Sequence, residues 1–198
     1  MQYITRELER KFKQMDAFFK VVLVTGARQV GKTTMLKHLA KGTNRTYVTL
    51  DDLMARELAQ TDPALFFQTY KPPILIDEVQ HAPQLFERIK LMCENTEETG
   101  QFWLTGSQQY SMMKHVRETL AGRIGILELY SLSQREKKGV LFDKPLDFLL
   151  ENLQERQSLT TPNDITDVFD HIWRGGMPQV QNADEEMRQE YSSSYVDS

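Results

Sequence analysis

Apolar positions along this 198-residue chain alternate between two spacings. Short, nearly continuous apolar or β-branched runs occur at 21–26 (VVLVTG), 45–52 (RTYVTLDD), 72–78 (PPILIDE), 101–107 (QFWLTGS) and 124–133 (IGILELYSLS), and each predicts a strand. The segments between them carry apolar residues three or four positions apart, the period of an amphipathic helix. Leu8, Phe12, Met15 and Phe19 place a helix over 5–19. Further helices are predicted at 32–41 (ended by Gly42), 53–70 (interrupted at Asp62-Pro63), 83–95 and 112–122. Strands that alternate with helices build parallel βαβ units, so the pattern predicts a three-layer α/β domain around a parallel five-stranded sheet over 1–133. After Ser133 the strand pattern ceases. Residues 134–181 read as short helices joined by polar loops, a small helical lid, and 182–198 as a polar tail, frayed or disordered. The chain contains no internal repeat.

Composition narrows this picture. An apolar fraction of 40% is enough to build a core, which excludes global disorder. A net charge of −4, with no interleaving of basic and aromatic residues, disfavours a nucleic-acid surface. The single cysteine, Cys93, can form neither an internal disulfide nor a cysteine zinc site, and it reads as a small buried residue. No run approaches the roughly 20 apolar residues of a membrane span, and the charged N-terminal stretch has no apolar signal core. A cytoplasmic setting without membrane contact is the expectation.

The chemistry concentrates at Gly26-Ala27-Arg28-Gln29-Val30-Gly31-Lys32-Thr33, followed by Thr34. Every fixed position of G-x-x-x-x-G-K-[ST] is present, between a predicted strand and a predicted helix. Glycines let the backbone wrap phosphates with its amides pointing inward, and a helix N-terminus favours anions. Lys32 is expected to place its charge on the β- and γ-phosphates, Thr33 its hydroxyl on Mg²⁺, and Thr34 to reach the α-phosphate. The strand at 72–78 ends in Asp77-Glu78, where P-loop proteins hold Mg²⁺ with an Asp and where a second carboxylate polarises an attacking water. The strand at 101–107 ends in Thr105-Gly106-Ser107-Gln108, and Ser107 and Gln108 are both positioned to sense a γ-phosphate. These features predict a nucleotide with Mg²⁺ as its cofactor; Asn-Lys-x-Asp, the guanine signature, does not occur, and that absence together with the family likeness given below favours ATP/ADP.

The segments GARQVGKTT (26–34), YVTLDD (47–52), DPALFF (62–67), ILIDEVQ (74–80), FWLTGSQ (102–108), ETLAGRIGILELYSLS (118–133) and RGGMPQV (174–180) together resemble prokaryotic AAA-like P-loop ATPases that carry a C-terminal DUF4143-type domain. That resemblance implies a parallel sheet with an extra strand between the P-loop strand and the Asp77 strand, and Ser107 or Gln108 as sensor. It implies that Arg123 lies near nucleotide or acts across an interface on a neighbour's γ-phosphate; pairing of Arg123 with a surface acid is the plainer alternative. It also implies that Gly175-Gly176-Met177-Pro178 packs a lid against adenine, with Pro178 at the base. Family members continue beyond the length of this sequence, so a fragment or a short version, and a homo-oligomer or a missing C-terminal domain as partner, are expectations from the same source.

Other residues read more plainly. Asp51-Asp52 either point at the Mg²⁺ site or, the favoured reading, cap the next helix. His38, His81, His115 and His171 lack metal-ligand spacing. Trp103 and Trp173 are expected in the core, and the charged run 134–138 on a solvated face. The function that follows is hydrolysis of MgATP through the two Walker motifs; the alternative is a slow regulatory switch that binds ATP or ADP with little turnover.

Overall fold

A computed structural model of the chain describes residues 3–107, 110–140, 148–158 and 164–196. The chain divides into two compact units: Leu8–Tyr130, and the segment ending at Glu7 together with the chain from Ser131 onward. In the first unit the order is α1 (Leu8–Asp16), β1 (Val21–Thr25), α2 (Lys32–Leu39), β2 (Thr46–Thr49), α3 (Leu53–Thr61), α4 (Pro63–Thr69), β3 (Ile74–Asp77), a 3-10 turn (Val79–His81), α5 (Leu85–Glu94), β4 (Phe102–Gly106), α6 (Tyr110–Thr119) and β5 (Ile124–Glu128).

The five strands form one parallel sheet in the order β2-β3-β4-β1-β5. Strand β4 thus lies between the P-loop strand β1 and the Asp77 strand β3, as the family resemblance implied. The three inner strands, VVLVT, ILID and FWLTG, are buried at every position, whereas the edge strands β2 and β5 are only partly covered. This distribution is the physical reason for the continuous apolar runs: a strand flanked by strands and covered by helices on both faces has no side facing water.

Strands β2 and β5 are shorter than the sequence pattern suggested. At Leu50 the chain still donates to Asp77 O, but the Asp52 carboxylate then accepts from Ala55 N at 2.8 Å and starts α3, as its capping role required. Asp62 repeats the device for α4, accepting from Leu65 N at 2.9 Å ahead of Pro63. Phe66, Phe86, Phe102, Ile74, Ile76 and Leu104 fill the core cluster, and Cys93 is fully buried among them. Burial also raises the Cys93 thiol pKa, consistent with an inert packing residue.

Toward the end of the sheet opposite the P-loop, Trp103 on the central strand β4 is buried as expected. Phe12 meets it edge-on at 4.8 Å, Asp16 accepts from its indole nitrogen at 2.5 Å, and Arg45 lies over its ring at 3.7 Å. The Arg45 guanidinium donates to the Gly100, Ile74 and Gln101 carbonyls, and burial pulls its pKa down to about 10. Gly125 is required on β5 because a Cβ there would come within 2.3 Å of Met15 Cε and 2.7 Å of Phe19, which fixes how closely α1 approaches the sheet.

The second unit contains α7 (Gln134–Lys138), α8 (Leu150–Ser158), α9 (Ile165–Arg174), a 3-10 turn (Pro178–Val180) and α10 (Glu185–Val196). Two sequence expectations change here. The run 134–138 is not simply a solvated face. Glu136 is 6% exposed, closes a capping box with Ser133, and bonds Arg6 Nε at 2.9 Å and Glu7 N at 2.9 Å. Charge alone had pointed outward, but a buried charge is tolerated when each lone pair finds a donor. Trp173 is not core: it is 65% exposed, on a helix whose Ile165, Phe169 and Ile172 are exposed as well. Apolar character states what a residue gains from burial, not which neighbour arrives to bury it.

Burial raises the Glu136 pKa, and the bonds from Ser133, Arg6 and Glu7 outweigh it, so the net shift is downward from 4.5. A depressed carboxylate contributes stability that is complete above the unfolded value and is lost as pH falls through the folded one. The second unit is therefore expected to loosen on the acid side of 4.5. Glu136→Ala, which leaves the buried Arg6 guanidinium without its carboxylate, should cost about 3–5 kcal/mol and remove that acid limb. Thermal unfolding of both proteins between pH 3 and 7 checks this. Among the described residues, no helix is long and apolar enough to cross a membrane.

Candidate functional site

Strands β1, β3 and β4 end side by side, and the loops that leave them carry the predicted chemistry. Gly26 follows β1 with φ 142°, and a Cβ at this position would lie 2.1 Å from Leu129 O, so only glycine fits. Val30, 2% exposed, anchors the middle of the loop in the core. Gly31 adopts φ 95° and occupies the N-cap of α2 with no side-chain cap. The first amides of that helix are left without a side-chain acceptor, the arrangement that receives an anion at a helix N-terminus. Arg28 and Gln29 are exposed on the loop, and Thr34 faces solvent in the first turn of α2.

Lys32 is 6% exposed and lies within the loop, its Nζ donating to Ala27 O at 2.8 Å and Gly26 O at 3.1 Å. Burial lowers its pKa, the nearby Glu78 and Asp77 carboxylates oppose that shift, and Arg28 adds to it. An ammonium so placed, with two neutral carbonyls as partners, is poised to exchange them for a polyanion.

Thr33 Oγ1 donates to Asp77 Oδ1 at 2.5 Å, joining the start of α2 to the end of β3. Asp77, 7% exposed, accepts two further hydroxyls: Thr105 Oγ1 on the same oxygen, and Tyr47 OH on Oδ2 at 3.3 Å. The Tyr47 ring is in turn covered by the Lys37 ammonium at 3.8 Å. This donor set fits Mg²⁺. One carboxylate and one hydroxyl adjoin beside a phosphate loop, and Mg²⁺ characteristically takes one or two protein ligands and completes its shell with water and phosphate oxygens. No group of three or more His, Cys, Asp or Glu suited to a metal occurs among the described residues.

Glu78 follows Asp77 in the left-handed conformation, φ 57° and ψ 46°. Its backbone N donates to Thr105 Oγ1 at 3.0 Å, and its carboxylate accepts from Gln80 Nε2. Gln80 Oε1 accepts from Ser107 N at 3.2 Å. Ser107 Oγ is buried with no hydrogen-bond partner among the described residues. Such an orphan at the end of β4 is explained by a ligand oxygen or an ordered water.

The structure thus brings together Gly26, Lys32, Thr33, Asp77, Glu78 and Ser107. Gln108 lies outside the described residues. Pro178 belongs to the second unit. Arg123 stands apart from the site of its own chain. It immediately precedes β5, and its carbonyl accepts from Val21 N at the start of β1, the end of the sheet opposite the P-loop. Its guanidinium pairs with Glu94 at 3.0 Å. Parallel register explains this: a residue ahead of a parallel strand sits at the sheet's N-terminal edge, one strand length from the phosphate loop.

Sequence reading passed over Tyr47, Thr105 and Gln80. The available signal for Thr105 was a single hydroxyl in an otherwise apolar strand, and for Gln80 a polar residue two positions beyond Glu78. Tyr47 offered none, because its distance from Asp77 is set by strand pairing alone.

Comparison with known proteins places the fold in a family. The family model described as an AAA domain matches residues 18–138. Uncharacterized protein Rv2008c of Mycobacterium tuberculosis and Uncharacterized protein Mb2031c of Mycobacterium bovis are each 33% identical over 117 residues, which is 59% of this chain and 26% of theirs. The chain therefore spans about a quarter of the length of these relatives. The solved Walker-type ATPase PABY2304 of Pyrococcus abyssi superposes with a TM-score of 0.59 over 98% of this chain and 73% of its own at 13% identity, a likeness of fold. With its five-stranded parallel sheet, its glycine-bounded phosphate loop and a family match over more than half its length, the chain belongs to the AAA domain family of P-loop ATPase-like proteins.

Proposed function

We propose that this chain binds MgATP on residues 26–34 and hydrolyses it to ADP and phosphate. The observation that carries the reading is the contact of Thr33 with Asp77, with Lys32 buried in the loop beside them and Glu78 next along the chain. The glycine-bounded loop and the amides of α2 hold the phosphates, Thr34 reaching the α-phosphate and Lys32 the β- and γ-phosphates. Thr33 and Asp77 hold Mg²⁺, which when bound neutralises phosphate charge. Glu78 accepts a proton as a water oxygen bonds to the γ-phosphorus and the bond to the bridging oxygen of ADP breaks. The unpartnered Ser107 hydroxyl, and Gln108 beyond it, sense the γ-phosphate.

The wider assignment follows the family resemblance. The chain is the ATPase module of a cytoplasmic prokaryotic protein of the type with a DUF4143 C-terminal domain. Residues 1–133 form its core and 134–181 a lid whose Pro178 packs on adenine. Arg123, distant from its own P-loop, works on a neighbour's γ-phosphate in a homo-oligomer. The test is Mg²⁺-dependent phosphate release from ATP over a range of protein concentration. Turnover per chain that rises with concentration supports the oligomeric role of Arg123. Tight retention of ADP without turnover would instead mark a nucleotide switch.

A further inference from the structure

Two separate contacts tie Glu78 to β4. Its backbone is held by the Thr105 hydroxyl, which accepts from Glu78 N and donates to Asp77, so one buried side chain connects both acidic residues. Its carboxylate is held by Gln80, whose amide is used at both ends: the nitrogen donates to Glu78 Oε2 while the oxygen accepts from Ser107 N at 3.2 Å. Few side chains can do this. A primary amide offers a donor and an acceptor on one rigid plane, and Gln carries them on a stem long enough to span the two partners. The turn Val79–His81 sets Gln80 between them. Glu78 enters that turn in the left-handed conformation, and Val79, fully buried, pins it to the core. Conformations of this kind cost about 1–3 kcal/mol and persist only where surrounding contacts over-determine them. The contacts here include those from Thr105 and Gln80, and from His81 N, which donates to Glu78 O at 3.1 Å and closes the turn. The Ser107 end of the relay also carries a buried hydroxyl with no partner, so a ligand that engages that hydroxyl would shift the backbone to which Gln80 is bonded.

We propose that Gln80 is a positioning residue that couples the Glu78 carboxylate to the end of β4, so that the orientation of Glu78 follows the position of Ser107. The inference rests on the reading of Glu78 as the group that activates water. It assigns to Gln80 the link between sensing at Ser107 and reaction at Glu78, a role that Lys32, Thr33 and Asp77 do not fill.

The test compares Gln80→Met, close in size but without hydrogen bonds to give, with Gln80→His, which keeps one donor and one acceptor. Misplacing a reacting group by about 1 Å costs on the order of 100-fold in rate. Gln80→Met is therefore expected to lower kcat about 10–100-fold with KM for ATP within about 3-fold, and Gln80→His to recover part of the loss. A second arm needs no turnover. In the full chain with Gln80 intact, Glu78→Gln should move the ¹H–¹⁵N resonance of the Ser107 amide; in the Gln80→Met background that shift should fall by at least about half. Unchanged kcat in Gln80→Met, or an equal Ser107 response in both backgrounds, overturns the proposal. Absence of Glu78-dependent phosphate release in the unmodified chain would count against the ATPase reading alone, and the resonance arm would still decide the coupling.

Discussion

Replacing Lys32 with alanine should weaken MgATP binding at least about 100-fold and abolish measurable phosphate release, because a charge-assisted contact to the β- and γ-phosphates in a water-poor loop cannot be replaced by solvent. The structure adds a reason to expect a clean loss. The ammonium bonds the Gly26 and Ala27 carbonyls, at 3.1 and 2.8 Å, and both are backbone groups that water can satisfy once the side chain is gone. The loop conformation itself is held elsewhere, by Gly26 pressed against Leu129 O and by the buried Val30. The variant should therefore fold, with a thermal midpoint near that of the unmodified protein. Titration with a fluorescent ATP analogue, alongside thermal unfolding, measures both. Affinity within about 3-fold of the unmodified chain would show that Lys32 does not meet the phosphates.

Glu78→Gln is expected to separate binding from turnover. The amide has the shape of the carboxylate and can still accept from Gln80, so nucleotide affinity should stay within a few-fold. It cannot take a proton from water, however, and loss of a general base typically lowers kcat about 10²–10⁴-fold. The left-handed conformation at this position and the bond from Glu78 N to Thr105 do not depend on the side-chain charge. A pre-steady-state assay that follows bound ATP and released phosphate together reads the outcome, and turnover at the normal rate would remove Glu78 from the mechanism. Together the two substitutions distinguish the roles: Lys32→Ala loses binding and Glu78→Gln loses only chemistry.

Much of the first unit was legible in the chain's own pattern. The inner strands β1, β3 and β4 announced themselves as unbroken apolar runs because a strand buried on both faces can carry little else. The glycine-bounded loop after β1 was legible for a similar reason. Its glycines answer to local backbone demands, the positive φ of Gly31 and the absence of room for a Cβ at Gly26, and these demands leave a fixed spacing. Asp52 declared itself as a cap because capping is a contact across three residues, and Asp62, legible only as a break before Pro63, proves to be a second one.

The remainder depended on contacts that spacing does not encode. Tyr47 reaches Asp77 across strand pairing, Thr105 reaches both Asp77 and Glu78 from the neighbouring strand, and Gln80 reaches Ser107 from the turn after β3 to the end of β4. Arg6 and Glu136, 130 positions apart, bury each other's charge, where each alone reads as a surface residue. Arg123 has the composition of a phosphate-binding residue, but parallel register puts it at the far edge of the sheet beside Glu94. Local pattern therefore determined the elements, the phosphate loop and the acidic pair at the end of β3, since each satisfies a requirement set within a few residues. Only the tertiary structure decided which hydroxyls hold Asp77, what holds Glu78, and where Arg123 and Trp173 stand, because pairwise contacts between distant segments follow from strand order and register rather than from the identity of either partner.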